Sequence, residues 1–330
     1  MPAPAPALSV IMSVYNDAPF VGTAIESILT QSFTDFEFLI VDDHSADGSE
    51  AVLHEWAGRD ARIRVLSRGE KGRVPALNRL LGEARGERIA LMDSDDWCEP
   101  ERFAKEMGFL DAHPDHGAVS CNCAVIDEAG NPFWRPPIDR PLTHEGILAN
   151  LESGPLLNHN AVLFTRAALD AVGGYRAAYR HAEDYDLWLR LSRVTRLANL
   201  EENLVAYRIY PGQVSTAHII EQTTNAGIAW LAHCATLAGQ PDPTEGLPSL
   251  PALDELDTLF GPGAAAKVRR RVIERTLFAP DLLAAQGWPL LLDHARETEA
   301  RGPLWRVAAR LLKHRHPARA ARLAAALVGA

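Results

Sequence analysis

The chain has 330 residues, 47 % of them hydrophobic, and a net charge of −10. That size and apolar content suffice for one large core or two smaller ones, and the acidic balance argues against nucleic acid as a partner, which needs a basic face. The charge is uneven: residues 301–330 hold seven Arg or Lys and no Asp or Glu, leaving 26 basic against 43 acidic side chains before them.

Residues 1–7 alternate Pro and Ala without a basic start or a long apolar stretch, so they read as a short extended leader rather than a signal peptide. No apolar run approaches the roughly 18 residues that a membrane span needs. Leu8 to Val14 predicts a buried strand, and Pro19 to Gln31 an amphipathic helix with Asp17 as its cap. Phe36 to Val41 is a second strand, ending at Asp42-Asp43 and the turn-rich His44-Ser45-Ala46-Asp47-Gly48. A helix over Ser49–Ala57, a strand over Ile63–Leu66 and a helix over Val74–Ala84 follow, the last with Pro75 tolerated in its first turn. Arg88 to Met92 is a strand and Pro100 to Ala112 a helix opened by a proline. These repeated β-α-β units imply an α/β fold with a mainly parallel sheet and helices on both faces.

Further on, Ala118–Ile126 predicts a strand, 128–132 a hairpin turn, Ala161–Phe164 a strand, Asp184–Arg193 a helix and Leu204–Ile209 a last strand, with a loop over Tyr210–Gln213. From about His218 the texture is Ala- and Leu-rich and helical to the end, with a Pro/Gly-rich linker over 239–251. The expected organisation is a domain over 1–217 and an α-helical region over 218–330. The cysteines, Cys98, Cys121, Cys123 and Cys234, have neither disulfide-framework nor zinc spacing. They read as reduced core thiols of a cytoplasmic protein.

The richest chemistry lies in Met92-Asp93-Ser94-Asp95-Asp96-Trp97, where an apolar strand runs into three carboxylates within four residues. Crowded carboxylates repel, and a divalent cation with a taste for oxygen, Mg²⁺ or Mn²⁺, relieves that repulsion. In a parallel sheet this cluster shares an edge with Asp42-Asp43 and with Tyr15-Asn16-Asp17, and such edges are where open α/β sheets bind ligands. A metal-assisted site for a phosphate ester is the reading. Asp43-x-Ser45-x-Asp47-Gly48 opens like an EF-hand loop but has His54 where the bidentate Glu belongs. No Gly-x-Gly-x-x-Gly follows the first strand and no Walker loop is present, which removes dehydrogenases and P-loop enzymes. In His181-Ala182-Glu183-Asp184-Tyr185, acids precede an amphipathic helix. The helix dipole alone accounts for acids there; a general base held ionised, with acidic neighbours raising its proton affinity, is the functional alternative.

The ordered set of motifs resembles the family 2 glycosyltransferases, which have the GT-A fold. Its members in this sequence are Ser9–Asn16, Phe38–Ser49, Gly72–Asn78, Ala90–Asp96, Gly173-Gly174-Tyr175, Glu183–Trp188 and Tyr207-Arg208, spread over residues 7 to 216. The resemblance implies an inverting transfer of a sugar from a nucleotide-diphosphate donor, a UDP-sugar first among them, to a hydroxyl of a saccharide or lipid-linked acceptor in surface polysaccharide or glycolipid synthesis. By the same resemblance Asp95 is a direct metal ligand and Asp93 sits by the ribose and metal. Asp42 reads the base, Val14 and Tyr15 flank it, and Arg73 meets the base or diphosphate. Asn16, Asn78 and Ser94 belong to the donor site, and Asp184 is the catalytic base. His159, Glu183 and Trp188 are acceptor-side candidates. One departure stands out, Tyr210 where the family often has His.

Rival readings are an aspartyl-nucleophile phosphohydrolase and a non-catalytic sugar-nucleotide module. The first class wants Thr or Val two residues after the second acid, and here that residue is Trp97; the presence of both Asp95 and Asp184 counts against the second. The basic C-terminal helices are read as an ordinary helical subdomain with a solvated basic face. The alternative is peripheral contact with anionic lipid.

Overall fold

The computed structural model describes residues 5–135, 140–210 and 218–328. The chain divides into two compact units, Met1–Ala177 with Glu183–Gln213, and Ala178–Ala182 with Val214–Ala330.

The first unit runs β1 (Leu8–Val14), α1 (Val21–Leu29), β2 (Phe36–Asp42), α2 (Ser49–Ala57), β3 (Ile63–Leu66), α3 (Arg73–Glu83), β4 (Arg88–Leu91), β5 (Trp97–Cys98), α4 (Arg102–Ala112) and β6 (His116–Ile126). It continues with α5 (His144–Asn150), β7 (Val162–Thr165), α6 (Arg166–Val172), α7 (Glu183–Leu191) and β8 (Arg196–Arg208). The strands form one sheet in the order β3-β2-β1-β4-β7-β6-β8-β5. β3, β2, β1 and β4 are parallel, β7 is antiparallel to both β4 and β6, β8 is parallel to β6, and β5 is antiparallel to β8. The sheet is therefore mixed, with its parallel half where the β-α-β pattern recurs. β2 is buried along its whole length and β1 at all but one position, as strands covered on both faces must be.

This topology positions the acids. The ends of β2, β1 and β4 lie side by side, with the Asp43 N–H donating to Val14 O at 2.7 Å and the Met92 N–H to Ile11 O at 3.2 Å. The Asp93–Asp96 turn is strung between two strands, β4 and β5, so both of its ends are pinned to the sheet. Beneath it lies a fully buried ion pair. Arg102 Nε sits 3.2 Å from Glu106 Oε2, while Arg102 Nη2 donates to Leu91 O at 2.9 Å. Gly72, at φ 130°, starts α3 in a conformation that side chains avoid, and its N–H donates to Asp43 Oδ1 at 2.8 Å.

Several expectations need correction. β8 begins at Arg196, not Leu204, because Glu201, Glu202 and Asn203 are exposed and the register against β6 shifts at Asn122. That bulge hides the alternation from a pattern reading. The helices α5 and α6, seven residues each, are too short to show a periodic apolar face in the sequence. Asp17 does not cap α1 with its side chain. Its carbonyl accepts from Phe20 and Val21 at 2.9 Å each, and its carboxylate turns to Ser94. Cys98 and Cys121 are buried, but Cys234 is exposed rather than in a core. The start of the leader and most of the 210–213 loop lie outside the described residues.

The second unit contains α8 (Ile219–Leu237), α9 (Leu256–Phe260), α10 (Ala264–Thr276), α11 (Pro280–Ala284), α12 (Trp288–Glu297), α13 (Gly302–Lys313) and α14 (Pro317–Val328). α13 and α14 bury Leu304, Val307, Leu311, Leu323 and Leu327 against Trp288 and Leu291 of α12. Arg319 lies 4.5 Å from the Trp288 ring centroid. The Pro/Gly-rich 239–251 stretch has no helix or strand but is not loose. Thr244 is buried there, its hydroxyl 2.7 Å from that of Tyr179. No helix among the described residues is long and apolar enough to cross a membrane.

Candidate active site

Three acids of the β4–β5 turn, Asp93, Asp95 and Asp96, bring carboxylate oxygens within 4.8 Å of one another. They are not equivalent. Asp96 is buried and spent on the protein itself, accepting from the Arg208 N–H at 2.7 Å and from the Asn160 amide. Asp93 accepts from Arg73 Nη2 at 2.7 Å. Burial pushes its carboxyl up, but the Arg73 guanidinium holds it below the ordinary range. Asp95 has no such cation. Burial and the charges of Asp93 and Asp17 push it up to about 7, against the pull of a hydrogen bond from the Tyr210 hydroxyl. Asp17 is raised too, chiefly by burial. A set of hard carboxylate oxygens, one of them half-protonated at neutral pH for want of positive charge, fits a divalent Mg²⁺- or Mn²⁺-type cation.

Arg73, at the start of α3, ties this cluster to a second group of acids. Its Nε is 3.2 Å from Glu183 Oε1, and its Nη2 is 3.1 Å from His159 Nδ1. Because that ring nitrogen accepts, His159 carries its proton on Nε2, 2.8 Å from the Tyr175 hydroxyl. Burial and then Arg73 push its pKa down to about 3, so it is neutral. Glu183 and Asp184 open α7. The Asp184 carboxylate accepts from the Tyr185 N–H at 2.7 Å, and burial followed by the Glu183 charge raises its pKa to about 7. A carboxylate with that proton affinity is matched to general-base work near neutrality.

The other expected residues are placed as follows. Val14 is buried at the end of β1, and Tyr15 beside it is half exposed with Lys71 Nζ 5.3 Å from its ring. Asn16, at φ 56°, clips the β1 and β2 ends together: its N–H donates to Ser45 Oγ at 2.9 Å and its Oδ1 accepts from the Ala46 N–H at 2.8 Å. Asp42 holds Arg68 on Oδ2, with Nε at 2.8 Å and Nη2 at 2.6 Å, and takes the Ser45 N–H on Oδ1 at 3.2 Å, which leaves a lone pair on Oδ1 for a further donor. Ser94 is buried and bonded to Asp17. Asn78 spends its amide on Tyr175, donating to its carbonyl at 2.8 Å and accepting from its N–H at 3.0 Å. It clamps the Gly173-Gly174-Tyr175 turn. Trp188 corrects the acceptor-side expectation most clearly. It is fully buried, stacked on Phe164 at 5.6 Å and 6.1 Å from the His159 ring. An acceptor does not touch it in this packing.

Sequence reasoning missed the roles of Asp17, Asn160 and Arg208. The sequence places Asp17 on the rim and predicts a cap, whereas its carboxylate bonds Ser94. Arg208 belonged to a recognised pair, yet nothing in its neighbours announced that its N–H would hold Asp96 and its Nε the Asp95 carbonyl at 2.7 Å. Tyr210 was noted as a departure and turns out to bond Asp95.

A mixed α/β sheet with an acid cluster at its parallel strand ends is what these elements define. The model of the family "Glycosyl transferase family 2" matches residues 9–173. The chain belongs to that family and is a glycosyltransferase. EpsE of Bacillus subtilis (strain 168), which carries a glycosyltransferase name, is 34 % identical over 210 residues, 62 % of this chain and 73 % of that protein. An uncharacterized glycosyltransferase of Haemophilus influenzae is 30 % identical over 229 residues, covering 67 % and 71 %. Among solved structures, S. aureus TarS 1-349 aligns over 97 % of this chain and 90 % of that one with a TM-score of 0.59 at 15 % identity. A mannosyltransferase from Pyrobaculum calidifontis, in complex with GDP-Man and Mn²⁺, aligns over 99 % and 87 % with a TM-score of 0.54 at 20 % identity. The fold is GT-A, with a C-terminal helical region.

Proposed function

We propose that residues 1–217 catalyse inverting transfer of a sugar from a nucleotide-diphosphate donor, a UDP-sugar in the first instance, to a hydroxyl of a saccharide or lipid-linked acceptor in surface polysaccharide or glycolipid synthesis. The observation that carries the reading is the bridge made by Arg73, 2.7 Å from Asp93 and 3.2 Å from Glu183. One guanidinium joins the strand-end acids to the helix that begins with Glu183-Asp184.

In this reading Asp95 and Asp93 hold a divalent cation, which supplies Lewis-acid neutralisation of the leaving diphosphate. Val14, Tyr15 and Asn16 shape the floor for the base, and Asp42 accepts from it. Arg73 turns from Asp93 toward the diphosphate, and Ser94 and Asn78 hold the walls of the donor site in place. Asp184 takes the proton from the acceptor hydroxyl as that oxygen attacks opposite the leaving group, which inverts the anomeric centre. His159 and Glu183 act from behind Arg73. Support for the donor class comes from TarS, solved in complex with UDP-GlcNAc, and support for polysaccharide synthesis from an E. coli chondroitin synthase 28 % identical over 196 residues. The chain spans only 27 % of that synthase. The basic C-terminal helices add peripheral contact with anionic lipid at the inner face of the membrane. On α13 the exposed residues Trp305, Arg306, Ala309, Leu312 and Lys313 recur at helical spacing on one outward face.

The test is a panel of nucleotide sugars with and without Mn²⁺, reading free nucleotide. Metal-dependent nucleotide release that Asp184→Asn abolishes while nucleotide binding persists is expected. Release of inorganic phosphate from phosphate esters instead would favour the phosphohydrolase, and unchanged turnover in the variant removes Asp184 from its role.

A further inference from the structure

A second group of metal-ligating side chains lies within the helical unit, away from the carboxylate cluster in both sequence and chemistry. His181, His218 and Glu221 offer ligand atoms that all lie within 4.8 Å of one another. His181 Nε2 and His218 Nδ1 are each 3.7 Å from the same oxygen, Glu221 Oε2. The two imidazole rings stack, with centroids 4.3 Å apart and planes 17° from parallel. We propose that these three residues form a binding site for a borderline-soft d-block cation of the Zn²⁺ type, with a fourth position open to water.

The spacing supports it. Metal–ligand bonds of about 2.0–2.2 Å at tetrahedral angles put ligand atoms about 3.3–3.5 Å apart. Both histidine–glutamate separations, 3.7 Å each, are within a few tenths of an ångström of that, and the two stacked rings must swing out of parallel so that their in-plane lone pairs meet at one point. Two imidazoles with one carboxylate suit Zn²⁺, Co²⁺ or Ni²⁺ better than Mg²⁺, whereas the all-oxygen set of Asp93, Asp95 and Asp96 has the opposite preference.

The frame that presents the site is built, not incidental. His181 sits at φ 62°, a strained backbone for a histidine. The segment that holds it there is locked on both sides. Tyr179 is fully buried with its hydroxyl 2.7 Å from that of Thr244, and Asn225 Nδ2 of α8 donates to the Arg180 carbonyl at 2.7 Å. His218 and Glu221 come from the residue before α8 and its first turn. All three side chains are partly exposed, so a cation reaches them without unfolding anything.

A positive group already leans on the site. Arg180 Nε donates to His181 Nε2 at 3.2 Å and lies 3.8 Å from Glu221 Oε1. The imidazole nitrogen therefore presents a lone pair, the state in which it ligates metal. The guanidinium stands where a metal would draw its charge, and its exposed side chain is able to swing away.

The experiment uses the full-length chain without an affinity tag. Co²⁺ titration should give one site with the visible absorption of a tetrahedral-like complex, displaced by Zn²⁺. Asp93→Asn and Asp95→Asn should leave that signal in place. His181→Asn, which keeps a residue tolerant of positive φ, and His218→Gln should each weaken it by at least about tenfold. Arg180→Gln should strengthen it. Binding that survives both histidine changes overturns the proposal, as does the absence of stoichiometric binding in both the wild type and Arg180→Gln; the group is then an ion-pair cluster of Arg180 only. The readout is metal binding without turnover, so its failure is separate from failure of the glycosyltransferase mechanism.

Discussion

Asp184→Asn should inactivate the enzyme and stabilise it, and the stabilisation should depend on pH in a defined way. The Asp184 carboxyl is raised from 3.8 to about 7 by burial and by the Glu183 charge. In the unfolded chain it titrates near the ordinary value, so between these two values the folded state binds the extra proton. Stability therefore falls as pH rises through that window. At 1.36 kcal/mol per pKa unit, ionising this group in the folded state costs about 4 kcal/mol in full above neutrality, and about 2 kcal/mol of that is already felt at pH 5. An asparagine has no such cost, and its Oδ1 still accepts from the Tyr185 N–H. Relative to wild type, the variant should gain about 2–3 kcal/mol more at pH 8 than at pH 5. For a unit of this size that is a difference of roughly 5–10 °C in Tm. The assay is thermal unfolding of both proteins at pH 5, 6, 7 and 8, taking the difference at each pH so that every other titrating group cancels. Turnover by the variant should fall by about 10²–10⁴, the loss expected on removing a general base. In the wild type, kcat at saturating metal should rise tenfold per pH unit below about 7 and level off above it. A Tm difference that stays flat from pH 5 to pH 8 refutes the reasoning, because the carboxylate is then not held protonated by its surroundings.

Tyr210→Phe removes the hydroxyl that bonds Asp95, so the Asp95 proton affinity rises further. Its Mn²⁺ dissociation constant should weaken by about tenfold at pH 6.5 and recover toward wild type by pH 9, where Asp95 is ionised in either protein; electron paramagnetic resonance of free Mn²⁺ reads this. Arg73→Gln leaves Asp93 and Glu183 without their shared cation. It should destabilise the chain by about 1–3 kcal/mol, the loss being moderated by the partial exposure of Arg73, and should raise the KM for donor; chemical denaturation and initial rates test the two parts. Flotation with anionic vesicles should recover the wild type and lose the Trp305→Ala/Leu312→Ala double variant, with neutral vesicles recovering neither. Equal recovery of both proteins ends the membrane reading.

The sequence was most legible where turn signals or burial bound an element closely. β1, α2 and β3 match their expected limits residue for residue: β1 is covered on both faces and apolar at five of its seven positions, while α2 and the edge strand β3, of which only Ile63 is buried, are short elements confined between turns. It was least legible around β8, where the exposed Glu201–Asn203 bulge interrupts the apolar pattern although the backbone stays in the sheet. The reversal of direction at β7 was also invisible, since pairing orientation is set by partners that no local pattern names.

The site shows the same division. Acids at the ends of parallel strands are readable, because strand order alone puts them on one rim. What each acid does once there is not, because it depends on which cation reaches it. Asp93 and Asp95 are two residues apart in one turn, yet Arg73 holds the first below the ordinary carboxylate range while the second rises to about 7. Asp96, the next residue, is given up to Asn160 and the Arg208 N–H. The partners Arg73, Asn160 and Arg208 lie 20, 64 and 112 residues from their acids in sequence. Three neighbouring carboxylates thus acquire three different settings through long-range contacts: burial and its acidic neighbours push Asp96 up as they do Asp95, but the oxygens of Asp96 are already committed. That asymmetry leaves Asp95 as the acid with most to gain from a bound cation.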